Sequence, residues 1–283
     1  MSPAGEAVSR DWDDLRRAAR EARVRILRMI HCAGSGHPGG SLSAIDVLVY
    51  LYSHRMRIDP GNPEWEDRDR FVLSKGHCSP AWYAALCGRG YFPEDVLWTL
   101  RDIESPLQGH PDMKGAPGID MTTGSLGQGF SCAAGIALGA KVQGRGFRVY
   151  AMLGDGELQE GIVYEAAMAA CQYGLDNLIA ITDNNRLQTD GWTAEIMNVE
   201  PIEERFRAFG WETRRIDGHD FAAIHGAFEA LAAANGRPKM VIADTVKGKG
   251  VQSMENNAGW HAGAISAEQL ERFLAELREG AQP

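Results

Sequence analysis

The sequence predicts an α/β fold, a mostly parallel central sheet covered by helices on both faces, and three features of the 283-residue chain point to it. Short β-rich runs alternate with stretches of helical length, the pattern of βαβ units. Each run stops on glycine plus polar or charged residues. Composition is that of a globular domain, with 44% hydrophobic and 24% charged residues.

Taken in order, "DWDDLRRAAREARVRILRMIHCAG" carries apolar residues at near-helical spacing and closes on Gly34, so it reads as a helix. A second helix is expected over "SLSAIDVLVYLYSH", with "GSGHPGGS" between the two as a glycine-rich loop around His37. The runs "RFVLSKGH", "FRVYAMLGDG", "LDNLIAITDNN", "WETRRIDGHD" and "KMVIADTVKGKG" read as strands. Helical segments, "GIVYEAAMAACQYG" and "FAAIHGAFEALAAANG", separate the second from the third and the fourth from the fifth. The tail "ISAEQLERFLAELREG" reads as a helix over 266–280 with Ser266 at its N-cap. No repeat, low-complexity tract or linker divides the chain. A single domain over 1–283 is expected, with residues 1–10 poorly ordered.

The strand ends carry the functional signal. In open parallel sheets ligands bind outside the carboxyl ends of the strands, so KGH, GDGE, DNN, DGHD and KGKG are expected to rim one site. The formal charge of −9, with no Lys/Arg run longer than a pair, excludes the electrostatic footprint of a nucleic-acid binder. An anionic ligand in such a protein needs backbone donors or a bridging cation.

Five cysteines without CxxC or metal-finger spacing disfavour a disulfide framework. The N-terminus lacks the basic start and apolar core of a signal peptide. The longest apolar segment, "LSAIDVLVYLY", is too short to span a bilayer and contains Asp46. A reduced, soluble, cytoplasmic protein without a membrane partner is expected.

Within "FRVYAMLGDGELQEG", residues 147–161, Asp155 is bracketed by Gly154 and Gly156, which free the backbone for a tight turn or a close ligand approach. Asn185 ends the next expected strand. Adjacent parallel strands would bring a carboxylate and a carboxamide together, two hard oxygen ligands suited to Mg²⁺ or Ca²⁺ and hence to a bound diphosphate. The helix after Glu160 would add N–H groups at its N-terminus. A plain turn at GDG is the competing reading, and the spacing to "DNN" weighs against it.

Four of the eight histidines sit in glycine-flanked loops: His37, His77, His110 and His261. Imidazoles there can donate to phosphate and sugar hydroxyls and move protons. His54 and His225 read as exposed helix residues, His31 as a helix end, and His219 stays ambiguous. In "MTTGSLGQGFSCAAGIALGAK", Gly124, Ser125 and Leu126 precede a Gly/Ala-rich helix. Close helix packing and main-chain contact with a flat heterocycle both fit, and spacing does not separate them.

The GDG…NN pair looks like the thiamine diphosphate fingerprint. "SGHPGGSLSAID", "FVLSKGH", "QGHPD", "TTGSLGQG", "GDGELQEG" and "WHAGA" resemble successive transketolase motifs, in order, over residues 35–264. The resemblance implies a three-layer thiamine-diphosphate-binding fold. It implies a divalent ion, Mg²⁺ or Ca²⁺, on Asp155, Asn185 and the main-chain oxygen of Leu187. Gly156 and Asn185 would touch the diphosphate, with His77 and His261 on the diphosphate side.

The same resemblance places His37, His110 and His261 toward the substrate, to orient ketose hydroxyls and assist proton movement. It places Gly124, Ser125 and Leu126 at the aminopyrimidine, and Glu160 near the subunit contact. A full transketolase continues well beyond this length into a pyrimidine-binding domain whose glutamate protonates the aminopyrimidine. The resemblance is therefore to the N-terminal subunit of a split transketolase, in an α2β2 assembly with a separately encoded C-terminal subunit. The ending "LREGAQP" reads as a natural finish.

The expected reaction is transfer of a glycolaldehyde unit from a ketose to an aldose. The rival readings are a deoxyxylulose phosphate synthase or 2-oxo acid dehydrogenase component, and a non-catalytic cofactor-binding assembly subunit.

Overall fold

A computed structural model describes residues 12–280 of the chain; the expected disorder of residues 1–10 lies outside them. The helices are α1 (Asp13–Ala33), α2 (Pro38–Tyr50), α3 (Ser79–Arg89), α4 (Gln128–Val142), α5 (Gly161–Gln172), α6 (Thr193–Ile196), α7 (Ile202–Ala208), α8 (Phe221–Ala230) and α9 (Ala267–Glu279). The strands are β1 (Arg70–Leu73), β2 (Val149–Gly154), β3 (Leu178–Asn184), β4 (Leu187–Gln188), β5 (Gly191–Trp192), β6 (Glu212–Asp217) and β7 (Lys239–Asp244). β1, β2, β3, β7 and β6, in that order, form one all-parallel sheet; β4 and β5 form a short hairpin beyond the end of β3.

Strand periodicity builds the three layers. Phe71, Leu73, Tyr150, Met152, Ile179, Ile181, Val241 and Ala243 face a core shared with α1, α2, α3, α8 and α9. Their alternates, among them Val72, Ala151, Leu153, Ala180 and Ile242, face a second core with α4, α5 and α7. Successive strand side chains point to opposite faces, and here both faces are covered. All residues of β3 are buried, which marks it as the middle of the sheet. No helix among the described residues is long and apolar enough to cross a membrane.

The five expected strands are all present, but helix boundaries differ in one place that matters. α2 starts at Pro38, so the expected loop around His37 is instead the residue just before a helix whose first turn is Pro38, Gly39 and Gly40. Proline suits that position because its missing N–H would be unsatisfied anyway. Every residue of α2 is buried, so no polar face marks where it begins. A Cβ on Gly39 would come within 2.7 Å of the Trp260 carbonyl oxygen, and one on Gly40 within 2.7 Å of Cys78 Sγ. Glycine there lets two other segments close onto the helix. The tail behaves as expected: Ser266 caps α9, with Gln269 completing a reciprocal capping box.

Candidate active site

The parallel register sets Gly154 of β2 beside Asp183 of β3, and Asp183 beside Ala243 of β7, so the strands end level with one another. Just beyond, a cavity of about 330 Å³ is lined by Lys75 and His77 after β1, Asp155 and Gly156 after β2, Asn185 and Leu187 after β3, and Lys247 after β7. Four strand ends thus rim the site. The fifth does not. β7 lies between β3 and β6, and at the far edge His219, after β6, turns to Asp46 and to the Val246 amide instead.

The four loop histidines converge. Ring centroids of His37 lie 5.1 Å from His77, 6.4 Å from His110 and 5.5 Å from His261, and His77 lies 5.3 Å from His261. All four line the cavity. Burial, with neighbouring Arg101, His110 and Lys247, lowers His37 to about 4. Burial and the charge of Lys247 lower His261 to about 3. His77 is held well below the usual range by burial and Lys75, and His110 is lowered by partial burial and Arg101. Neutral imidazoles result, each offering one donor and one acceptor, as a polyhydroxylated ligand requires. Nδ1 of His37 is buried without a partner.

The other histidines stay outside. His31 bonds the Ile265 carbonyl at 2.7 Å. His54 is exposed as expected, whereas His225 is half-buried rather than exposed, because it bonds Tyr50 Oη at 3.1 Å.

At the floor, Asp155 and Asn185 meet at adjoining strand tips. Asp155 accepts from the amides of Gly156 and Arg186, and Asn185 Oδ1 accepts from the Leu187 amide at 3.1 Å. Among the described residues no lysine, arginine or histidine forms an ion pair with Asp155, which is 3% exposed. Burial and the charge of Asp183 raise its pKa to about 6. A buried carboxylate without a cation, a carboxamide oxygen and the Leu187 carbonyl form a hard-oxygen set that fits Mg²⁺ or Ca²⁺. Among the described residues no three or more His, Cys, Asp and Glu are placed so that they could hold a metal ion together, so a softer metal has no such seat.

Beneath this floor runs a network that spacing did not reveal. The Lys75 ammonium pairs with Asp183 and bonds the Gly40 carbonyl at 3.1 Å. Asp183 also accepts from Thr245 Oγ1 and from Ser43 Oγ, the latter at 2.6 Å. Asn185 Nδ2 lies 3.3 Å from both Asp183 and Ser43, which fixes its amide so that Oδ1 is the outward atom.

Lys247 begins the KGKG strand end expected to rim the site, but no individual role was expected of it. Its Nζ lies 2.8 Å from the Leu187 carbonyl oxygen and 2.9 Å from His261 Nδ1, and burial lowers its pKa to about 8. The available signal was the lysine that follows an apolar run in "KMVIADTVKGKG", as one also does in "RFVLSKGH".

On the opposite wall, Gly124 and Leu126 line the cavity, while Ser125 between them is exposed and does not. Glu160 is exposed at the rim. The cavity lining stops there, so the turn of Gly156–Gln159, rather than the first turn of α5, borders it. Glu157 within that turn is 2% exposed and accepts from Ser74 Oγ, from the Gly127 amide at 2.7 Å and from the Gly154 amide at 3.1 Å. One carboxylate thereby ties the ends of β1 and β2 to the start of α4. Gly127, at φ 81° in the left-handed region, is where the chain turns into that helix.

Residues 15–279 match a family described as "Transketolase, thiamine diphosphate binding domain". The chain is 48% identical over 275 residues to a 6-deoxy-6-sulfo-D-fructose transketolase subunit of Clostridium sp. (strain MSTE9), covering 97% of this chain and 100% of that one. It is 44% identical over 257 residues to an apulose-4-phosphate transketolase subunit of Phocaeicola vulgatus, covering 91% of each. Among solved structures, transketolase from Campylobacter jejuni superposes with a TM-score of 0.89 at 33% identity, over 95% of this chain and 43% of that one. The chain therefore spans the whole length of some relatives and less than half of others. A parallel sheet with buried oxygen donors and a group of histidines beyond its strand ends, matched over residues 15–279 by that family description, makes this chain a member of the transketolase family, carrying its thiamine diphosphate binding domain.

Proposed function

We propose that this chain is the diphosphate-binding subunit of a two-component transketolase, which moves a two-carbon glycolaldehyde unit from an anionic ketose to an aldose. The observation that carries the reading is the meeting of four histidines over a hard-oxygen floor in one cavity. A 2-oxo acid donor offers few hydroxyls to such a ring of imidazoles; a ketose offers several. The relatives that match over nearly their full length are named as transketolase subunits for a sulfo-sugar and a sugar phosphate, which supports both the subunit reading and an anionic donor.

When bound, thiamine diphosphate supplies a nucleophilic thiazolium carbon and an electron sink. This chain anchors and orients. Asp155, Asn185 and the Leu187 carbonyl would hold Mg²⁺ or Ca²⁺, which bridges an acidic protein to the diphosphate. Gly156, His77, His261 and Lys247 would meet the diphosphate from either side. Gly124, Ser125 and Leu126 would meet the aminopyrimidine through main-chain groups, with Glu160 at the rim facing the partner subunit. His37, His110 and His261 would hold the ketose hydroxyls, accepting and donating as neutral imidazoles. A bound diphosphate beside them would lift their pKa values toward neutrality, where proton transfer is efficient.

The partner would be a separately encoded C-terminal subunit supplying the pyrimidine side, in an α2β2 assembly. The test is an assay of this chain with the product of a neighbouring reading frame that carries a pyrimidine-binding domain, with a ketose phosphate or sulfonate against pyruvate as donor. Ketose-dependent, aldose-dependent turnover without release of CO₂ is expected. Turnover of pyruvate with CO₂ release would overturn the reading in favour of a 2-oxo acid enzyme.

A further inference from the structure

Behind the cavity, outside its lining, lies a second buried polar cluster. Arg23 and Asp46 form a bidentate pair, at 2.9 and 2.6 Å, with side chains 7% and 6% exposed. His219 Nδ1 lies 2.6 Å from the same carboxylate, and its Nε2 accepts from the Val246 amide at 2.9 Å. Arg23 Nε donates to the Lys249 carbonyl at 3.0 Å. The two ends of the segment 246–249 are thus gripped by one cluster, while the Gly248 amide between them bonds the Gly39 carbonyl at 3.0 Å.

The held segment contains Lys247, whose ammonium reaches Leu187 and His261 inside the cavity. A lysine stem has several rotatable bonds, and its head finds one place only if its backbone is fixed. We propose that Arg23, Asp46 and His219 are positioning residues: a clamp that sets the backbone of Val246–Lys249 and through it the placement of Lys247 on the diphosphate side. The role of Lys247 rests on the function proposed above.

The hydrogen bonds specify the chemistry of the clamp. Nε2 of His219 must accept, since its partner is an amide N–H, so the ring proton sits on Nδ1 and goes to Asp46. Asp46, charged and doubly bonded to Arg23, holds that tautomer. The ring thus acts as a spacer with a donor at one end and an acceptor at the other. Glutamine can reproduce the acceptor toward Val246; leucine cannot.

The test uses the full chain in four variants, His219→Gln, His219→Leu, Lys247→Met and the His219→Leu/Lys247→Met double variant, with thiamine diphosphate and Mg²⁺ as the probe in calorimetric titration. Lys247→Met is expected to weaken binding about 30-fold, the loss of a charge-assisted bond. His219→Leu is expected to weaken it about tenfold, as outer supports of a binding group commonly do, and His219→Gln less than about threefold. In the double variant the His219 substitution should add nothing further, because its effect runs through Lys247. An undiminished His219 effect without Lys247, or no effect with it, overturns the proposal.

Amide hydrogen exchange over residues 246–249 of the ligand-free chain reads the clamp independently of cofactor. Faster exchange is expected in His219→Leu and not in His219→Gln, and unchanged exchange in both would also overturn the proposal. Absence of binding by the wild-type chain and its partner would instead count against the proposed function.

Discussion

The tips of β2 and β3 lie side by side, each with a buried carboxylate, and the two pKa values are shifted in opposite directions. Asp183 is answered from within the chain. Burial pushes its pKa up, but the Lys75 charge and bonds from Lys75, Ser43 and Thr245 outweigh that and hold it below the ordinary range. Asp155 has only two amides, and burial lifts it to about 6. The difference teaches which part of the floor is structure and which is site. The chain itself completes one carboxylate and, among the described residues, gives the other no cation.

The largest effect should come from breaking the completed side. Asp183→Asn leaves the Lys75 ammonium buried without its counter-ion and is expected to cost about 3–5 kcal/mol of stability, read by urea unfolding. Asp155→Asn should cost the metal-free chain far less, about 1 kcal/mol, since it removes a buried charge that the chain does not pair and leaves one of the two amides without its acceptor. Equal destabilisation by both would erase the contrast. Lys75→Met in the Asp183→Asn background should recover part of the loss, because the stranded charge goes with it.

Asp46, outside the cavity lining, sharpens the comparison as a further buried carboxylate. Burial alone would raise its pKa, but Arg23 and His219 bring it down to about 2 from 3.8. A depressed folded value means that its stabilisation is in place above pH 3.8 and is lost as pH falls toward 2. The stability gap between wild type and Asp46→Asn should therefore shrink by about 2 kcal/mol as the solution is acidified through that window, measured by urea unfolding. A gap that persists at low pH would contradict the assignment. The smallest effect is a control remote from all three: Ser266→Ala should cost about 1 kcal/mol through the lost cap of α9, with no change in cofactor binding.

The same contrast shows what the sequence could disclose. Asp155 and Asn185 were legible because each lies in the polar end that closes an apolar run, and adjacent parallel strands bring such ends together. The four histidines were legible because glycine flanks each one. The Lys75–Asp183 pair was not: both residues sit in polar strand ends, KGH and DNN, but no spacing pairs residues 108 apart in the chain. The exclusion of the β6 end was hidden for a related reason. Chain order gives strands but not their order in the sheet, and the crossover that inserts β7 beside β3 moves His219 away from the cavity. The start of α2 was hidden by burial on every side, which removes the polar stripe that marks a helix boundary.

The most direct test is calorimetric titration of thiamine diphosphate into the full chain with Mg²⁺ or with chelator, for wild type and Asp155→Asn. Wild-type binding should require the ion and fall by about 100-fold or more in the variant, the scale of a lost first ligand to a hard cation. Binding that survives both chelation and the substitution would show that the carboxylate at the tip of β2 is not waiting for a metal.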